Sequence, residues 1–162
     1  MIGIGITERN RYDVFKHTYK QFIKFIPPGA QLVVVDDASD IPVPEADYRF
    51  EYNVGIAQAK NKCLELLEDL GCDEYFLFDS DTYPITKDWY KPYVNSGHNH
   101  LMYQFKLKNK PYTDMKELQR DDIVINYSHT RGCMLYFKQV VLDTVGGFDT
   151  VYGKAMYEHP DL

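Results

Sequence analysis

The sequence predicts an α/β fold built on a mixed, mainly parallel central sheet flanked by helices. Three observations carry this expectation. Short apolar runs at 2–6, 32–35 and 75–78 have the length and the β-branched or aromatic content of strands. Between them lie two stretches with helical spacing of apolar residues, 13–26 and 56–70. Strand and helix signals that alternate in this way mark parallel strands joined by crossover helices.

Ile2, Ile4 and Ile6 alternate with Gly3 and Gly5, which suits a strand with one closely approached face. After a polar turn at 7–11, Asp13 is placed to cap a helix whose apolar stripe is Phe15, Tyr19, Phe22, Ile23 and Ile26. Pro27-Pro28-Gly29 stops it. Leu32-Val33-Val34-Val35 is continuous rather than alternating, as expected of a strand covered on both faces. A weaker strand signal lies at 48–52. Asn53-Val54-Gly55 opens a second helix with Ile56, Ala59, Cys63, Leu66, Leu67 and Leu70 on one stripe, and Gly71 ends it. After the strand at 75–78, a short helix is expected over 87–95, weakened by Pro92. Strands are expected at 100–107, 122–127 and 133–137, then a short helix at 139–144 broken by Gly146-Gly147. The later strands are expected to add antiparallel edges to the sheet.

The chain has 162 residues, which at about 100–200 residues per domain is one domain. Its formal charge of −6 argues against phosphate-backbone binding as the main task, and nothing points directly to a nucleic acid. No apolar run approaches the length of a membrane span, and residues 1–10 show no signal-peptide pattern. Cys63, Cys72 and Cys133 form an odd, widely spaced set and read as reduced core thiols, so a cytoplasmic location is expected. Aromatic residues reach 15%, enough that Trp89 and the tyrosines either stack on a ligand or, as the simpler reading, fill the core.

Two of the buried-type strands deliver carboxylates at their C-terminal ends: Asp36 and Asp37, then Asp79 and Asp81. Ligands of open α/β sheets bind outside these ends. Two carboxylates one residue apart can share a hard divalent cation with a phosphate, and the small Ser80 between them lets a ligand approach.

At this point the sequence resembles the glycosyltransferase A fold, in particular the family-2-like nucleotide-sugar transferases. The residues that carry the resemblance are the segment 4–9, Val33-Val34-Val35-Asp36-Asp37-Ala38-Ser39-Asp40, Asn53-Val54-Gly55-Ile56-Ala57-Gln58-Ala59-Lys60-Asn61, Phe78-Asp79-Ser80-Asp81, and the stretch from Arg131 to Gly146-Gly147-Phe148-Asp149. Tyr157-Glu158-His159-Pro160-Asp161 falls where such enzymes carry an acidic motif.

The resemblance implies a metal-dependent transfer of a sugar from a UDP- or GDP-sugar to a hydroxyl on a glycan, a lipid or another acceptor. It implies that Thr7, Arg9, Asp36 or Asp37, and Lys60 surround the nucleotide, with Asn53, Gly55 and Ser80 completing that site. Asp79 would bond the ribose or share the metal, and Asp81 would ligate Mn²⁺ or Mg²⁺. Lys60 also suits a solvated helix face, and Asn53 a simple cap. Where inverting relatives place their base, this chain has His159, between Glu158 and Asp161, so the base is one of these three and the stereochemistry stays open. Residues 1–95 would form the donor half and 96–162 an acceptor half that stops early compared with such relatives. The alternative is a nucleotide-sugar-binding module without transferase activity. Haloacid-dehalogenase-like phosphatases fit less well, because their nucleophilic Asp sits on an early strand and Thr or Val stands where this chain has Tyr83; response-regulator receivers carry their acidic pair on the first strand, not the second.

Overall fold

The computed structural model describes residues 1–104, 106–107, 110–111, 115–128 and 132–152. A six-stranded sheet forms its centre. The strands are β1 (Ile2–Glu8), β2 (Gln31–Asp36), β3 (Tyr48–Arg49), β4 (Glu74–Asp79), β5 (His100–Met102) and, last in the chain, β10 (Met134–Lys138). Their order is β3-β2-β1-β4-β10-β5; β3, β2, β1 and β4 are parallel, and β10 runs antiparallel to both of its neighbours. The helices are α1 (Tyr12–Phe25), α2 (Ile56–Asp69), α3 (Lys91–Val94) and α4 (Gln139–Val145). Two small antiparallel pairs lie outside the sheet, β6 (Lys106–Leu107) with β7 (Lys110–Pro111) and β8 (Glu117–Arg120) with β9 (Ile125–Tyr127). The expected mixed, mainly parallel sheet flanked by helices is what the chain forms.

The valine run of β2 shows why it does not alternate in polarity. Val33 and Val35 join one core with Cys63 and Leu67 of α2, together with Leu77, Leu135 and Phe137. Val34 joins the other, with Phe15 and Phe22 of α1, Phe76, Phe78 and Tyr136. Successive side chains of a strand point to opposite faces, and here both faces are dry.

Much of the aromatic content is in the second core. Trp89 packs edge-on against Phe76 at 4.8 Å and Phe78 at 5.5 Å, and its indole N–H donates to the Phe25 carbonyl at 3.0 Å. Trp89 is therefore a packing residue. Tyr93 packs on Phe76 in the same way.

Gly5 lets α2 lie close against β1. A Cβ at Gly5 would fall 2.7 Å from both Cys63 Cβ and Leu77 Cδ2, inside contact distance of two buried neighbours. Gly5→Val is expected to cost about 3 kcal/mol, the upper end of overpacking penalties. Urea unfolding at unchanged m-value checks this; a variant as stable as the parent would mean that α2 can retreat.

Several boundaries differ from the sequence expectation. α1 begins at Tyr12 with Arg11 at the cap position, and Asp13 sits inside the first turn, where its charge meets the helix dipole. The helix expected at 87–95 shrinks to four residues starting at Lys91, because Pro92 is tolerated only in a first turn. The strand expected at 100–107 ends at Met102, and Lys106–Leu107 pairs in a separate hairpin. Only Tyr48–Arg49 of 48–52 is strand, and 122–127 starts at Ile125. Its partner, Glu117–Arg120, was not anticipated; all four residues are exposed, so no apolar alternation marks them. On α2, Leu70 is half-exposed, while Ala57, Lys60 and Leu64 are buried beside the expected stripe. All three cysteines are free thiols. Among the described residues, no helix is long and apolar enough to cross a membrane.

Candidate functional site

The parallel strands end side by side. Pairing sets Glu8 against Asp36, and Thr7 against both Val35 and Asp79, so the C-terminal ends of β2, β1 and β4 form one edge. At this edge lies a cleft of about 170 Å³ lined by Thr7, Glu8, Arg9, Asp37, Asn53, Ile56 and Ala59.

The Asp36–Asp37 pair divides its work. Asp36 is fully buried; it accepts the amide N–H of Ser39 at 2.8 Å and of Val43 at 3.2 Å, and the Arg49 Nε–H at 3.0 Å. Its carboxylate closes the loop after β2. Asp37 lines the cleft, and its two oxygens accept the amides of Val54 and Gly55, at 2.7 and 3.0 Å, just ahead of α2. The loop between these carboxylates and Asp40 turns through Ala38, held at φ 55°, a left-handed conformation that favours glycine. Ser39 and Asn10 lock this loop to the one after β1: the Asn10 N–H donates to Ser39 Oγ at 2.9 Å and the Asp40 N–H to Asn10 Oδ1 at 2.7 Å.

The second acidic pair sits one strand away. Asp79 is about one-third exposed and lies 3.4 Å from the ammonium of Lys60. Asp81 is more open and accepts from Arg11 Nη2 at 2.9 Å. Ser80, between them, is buried. Among the described residues no cluster of three or more acidic, His or Cys side chains is gathered for a metal. Two adjacent carboxylates still offer hard oxygen donors of the kind Mn²⁺ or Mg²⁺ takes, with room for phosphate and water oxygens to complete the shell.

Lys60 is not on a solvated face. It is completely buried, donates to the Gly132 carbonyl at 2.9 Å, and lies 5.8 Å from the centre of the Phe148 ring. The next residue, Asn61, donates to the Phe148 carbonyl and accepts the Phe148 N–H, both at 2.8 Å. A Cβ at Gly147 would fall 2.5 Å from Asn61 Oδ1, so glycine is what admits this clamp. Cys133 lies beside the same cluster; burial first, and then the Asp79 carboxylate, push its thiol pKa up, which keeps it neutral.

Three buried polar atoms in the cleft lining have no partner: Thr7 Oγ1, Glu8 Oε2 and Asn53 Oδ1. Buried polar atoms are rarely left unmatched, and such a group is expected to meet a ligand or water. The structure thus gathers Thr7, Arg9, Asp37 and Asn53 around one cleft, with the Gly55 amide donating to Asp37 and with Lys60, Asp79, Ser80 and Asp81 at the neighbouring strand end. Glu158, His159 and Asp161 lie outside the described residues. Glu8 was missed by sequence reasoning, although it ends a strand between two residues that were picked, as did Asp36. Asn61 was seen only as part of a motif.

No protein-family model matches the chain, and no curated protein matches it by sequence. Solved structures do match. A mannosyltransferase from Pyrobaculum calidifontis, PcManGT, in complex with GDP-Man and Mn²⁺, superposes with a TM-score of 0.71 at 15% identity over 99% of this chain. TarS residues 1–349 from S. aureus, in complex with UDP-GlcNAc, gives 0.69 at 16% identity over 99%. GalNAc-T7 with UDP, GalNAc and Mn²⁺ gives 0.66 at 12% identity over 98%. The chain has the glycosyltransferase A fold. It spans 49%, 51% and 38% of the lengths of those three chains, about half at most. In a glycosyltransferase A fold, the edge formed by β2, β1 and β4 is where the sequence resemblance put the nucleotide, and the cleft described above opens on that edge.

Proposed function

We propose that the protein is a metal-dependent glycosyltransferase domain that moves a sugar from a UDP- or GDP-sugar to a hydroxyl acceptor, in glycan or polysaccharide synthesis. One observation carries the reading: in a glycosyltransferase A fold, a cleft with three unpartnered polar atoms opens next to the end of strand β4, which carries two open carboxylates. Matched structures that hold GDP-Man with Mn²⁺, or UDP-GlcNAc, support it.

In this reading Thr7, Glu8, Arg9, Asp37 and Asn53 bind the nucleoside, with Gly55 giving its backbone close approach. Asp79, Ser80 and Asp81 face the diphosphate, and Asp79 and Asp81 hold Mn²⁺ or Mg²⁺. The cation, when bound, supplies positive charge that stabilises the leaving diphosphate. Arg11 and Lys60 orient the two carboxylates. Glu158, His159 or Asp161 takes the proton from the acceptor hydroxyl, within an acceptor half over 96–162. The free thiols fit a reducing, cytoplasmic compartment. The second reading, a nucleotide-sugar-binding module without transfer, needs only the cleft and its unpartnered polar atoms.

Calorimetric titration with UDP and GDP, with and without Mn²⁺, followed by assay of donor hydrolysis, tests both. Mn²⁺-strengthened binding with release of free sugar is the expected result. Binding without hydrolysis or transfer to any of a panel of hydroxyl acceptors favours the module. Binding of neither nucleotide overturns both readings.

A further inference from the structure

We infer that Arg11 is a diphosphate-binding residue that pairs with Asp81 while the cation is away and turns to the phosphates when the cation takes that carboxylate. The inference rests on the nucleotide and metal reading above and deepens it. The main chain of Arg11 is fixed at the start of α1. Its amide N–H donates to Glu8 Oε1, and its carbonyl accepts the N–H of Val14 at 2.9 Å and of Phe15 at 3.0 Å. Glu8 itself lines the cleft. From this anchored point the side chain crosses to the next strand end, where Nη2 donates to Asp81 Oδ2 at 2.9 Å. The contact joins the loop after β1 to the loop after β4. Both side chains are open, 52% exposed for Arg11 and 41% for Asp81, and an ion pair this open breaks readily.

A divalent cation on Asp81 meets a positive charge already there. Guanidinium and cation repel each other, so each weakens the hold of the other on the same carboxylate. A guanidinium displaced in this way need not travel. A phosphate oxygen that shares the cation lies next to the carboxylate that holds it, and so within reach of the same side chain. Arginine suits that second partner, because its planar fork matches a phosphate bidentately. Of its five N–H donors, only the one on Asp81 is used among the described residues. Lys60 cannot take this part, since its ammonium is completely buried between the Gly132 carbonyl and Asp79. The same residue therefore opposes the cation alone and favours the cation with its nucleotide.

The test compares the full chain with Arg11→Met in two titrations, with circular dichroism to check folding. Mn²⁺ alone is followed by the loss of its free electron-paramagnetic-resonance signal. UDP and GDP are then titrated by calorimetry at saturating Mn²⁺. Arg11→Met is expected to bind Mn²⁺ alone about threefold more tightly, because an exposed ion pair no longer competes. It is expected to bind whichever nucleotide the parent prefers about tenfold more weakly, because charge-assisted bonds to phosphate are lost. Opposite signs are the signature, since damage to the site would weaken both ligands. Lys16→Met removes one charge from the same helix and should move neither value; equal shifts in that variant overturn the inference. An Mn²⁺ affinity that does not rise in Arg11→Met, or a nucleotide affinity that does not fall, also overturns it and leaves the nucleotide site standing. Arg11→Gln decides by the same two readings if Arg11→Met does not fold. If the parent binds neither nucleotide, the inference falls together with the reading beneath it.

Discussion

Asp81→Ala is expected to abolish the metal-dependent part of sugar transfer while leaving the fold intact. Asp81 lies past the end of β4 with its side chain 41% exposed, so no core packing depends on it. The contact it loses, with Arg11, is an exposed ion pair of a kind worth at most about 1 kcal/mol. Its proposed task is to hold the cation on the diphosphate, and loss of one such electrostatic stabiliser costs about 10²–10³ in rate. Donor hydrolysis or transfer measured against Mn²⁺ concentration should lose its stimulation, and the melting temperature should stay within a few degrees of the parent. A variant that keeps full Mn²⁺-stimulated activity would remove Asp81 from the metal site.

Lys60→Met should act in the opposite way, through stability first. The ammonium is fully buried and serves three segments at once: the Asp79 carboxylate, the Gly132 carbonyl and the Phe148 ring. Removing one member of a buried pair strands the other, a loss of about 3–5 kcal/mol where no water can reach it. Asp79 is partly open, so solvent recovers some of that, and a net cost of about 3 kcal/mol is expected. In a chain this long that corresponds to a melting temperature lowered by roughly 6–12 °C. Lys60→Arg, which keeps the charge, should recover part of the loss. Equal stability of Lys60→Met and the parent in urea would show that the buried cation is dispensable.

Lys60 also shows where reading the sequence stopped short. Its position on α2, among Ala59, Cys63 and Leu67, is one that helical spacing assigns to the core, but a lysine in such a stripe looks like a solvated neighbour. Only the fold brings Gly132 and Asp79 within its reach, across 72 and 19 positions of sequence. The alternation of strands and helices was legible because the helices carry a 3.6-residue period and the strands short apolar runs, and so the parallel half of the sheet followed directly. The insertion of β10 between β4 and β5 was not, since nothing local in Met134–Lys138 says which edge it will join. Glu8 and Asp36 were opaque for a related reason. A carboxylate at a strand end looks the same whether it fastens a loop, as Asp36 does, or stands unpartnered in a cleft.

The clamp between Asn61 and Phe148 has a consequence for how the molecule can be taken apart. Residues 1–95 and 96–162, proposed above as donor and acceptor halves, do not divide the cohesion. A chain cut after residue 95 would leave β4 with a bare edge where β10 had been hydrogen-bonded. Within α2, the Lys60 ammonium would lose its carbonyl and the Asn61 amide both of its bonds. The donor half would thus carry an open strand, an unanswered Asn61 amide and a lysine left with Asp79 alone, a surface made for the missing piece and prone to sticking to its own kind. Whatever grips the nucleotide therefore depends for its solubility on the segment proposed to meet the acceptor.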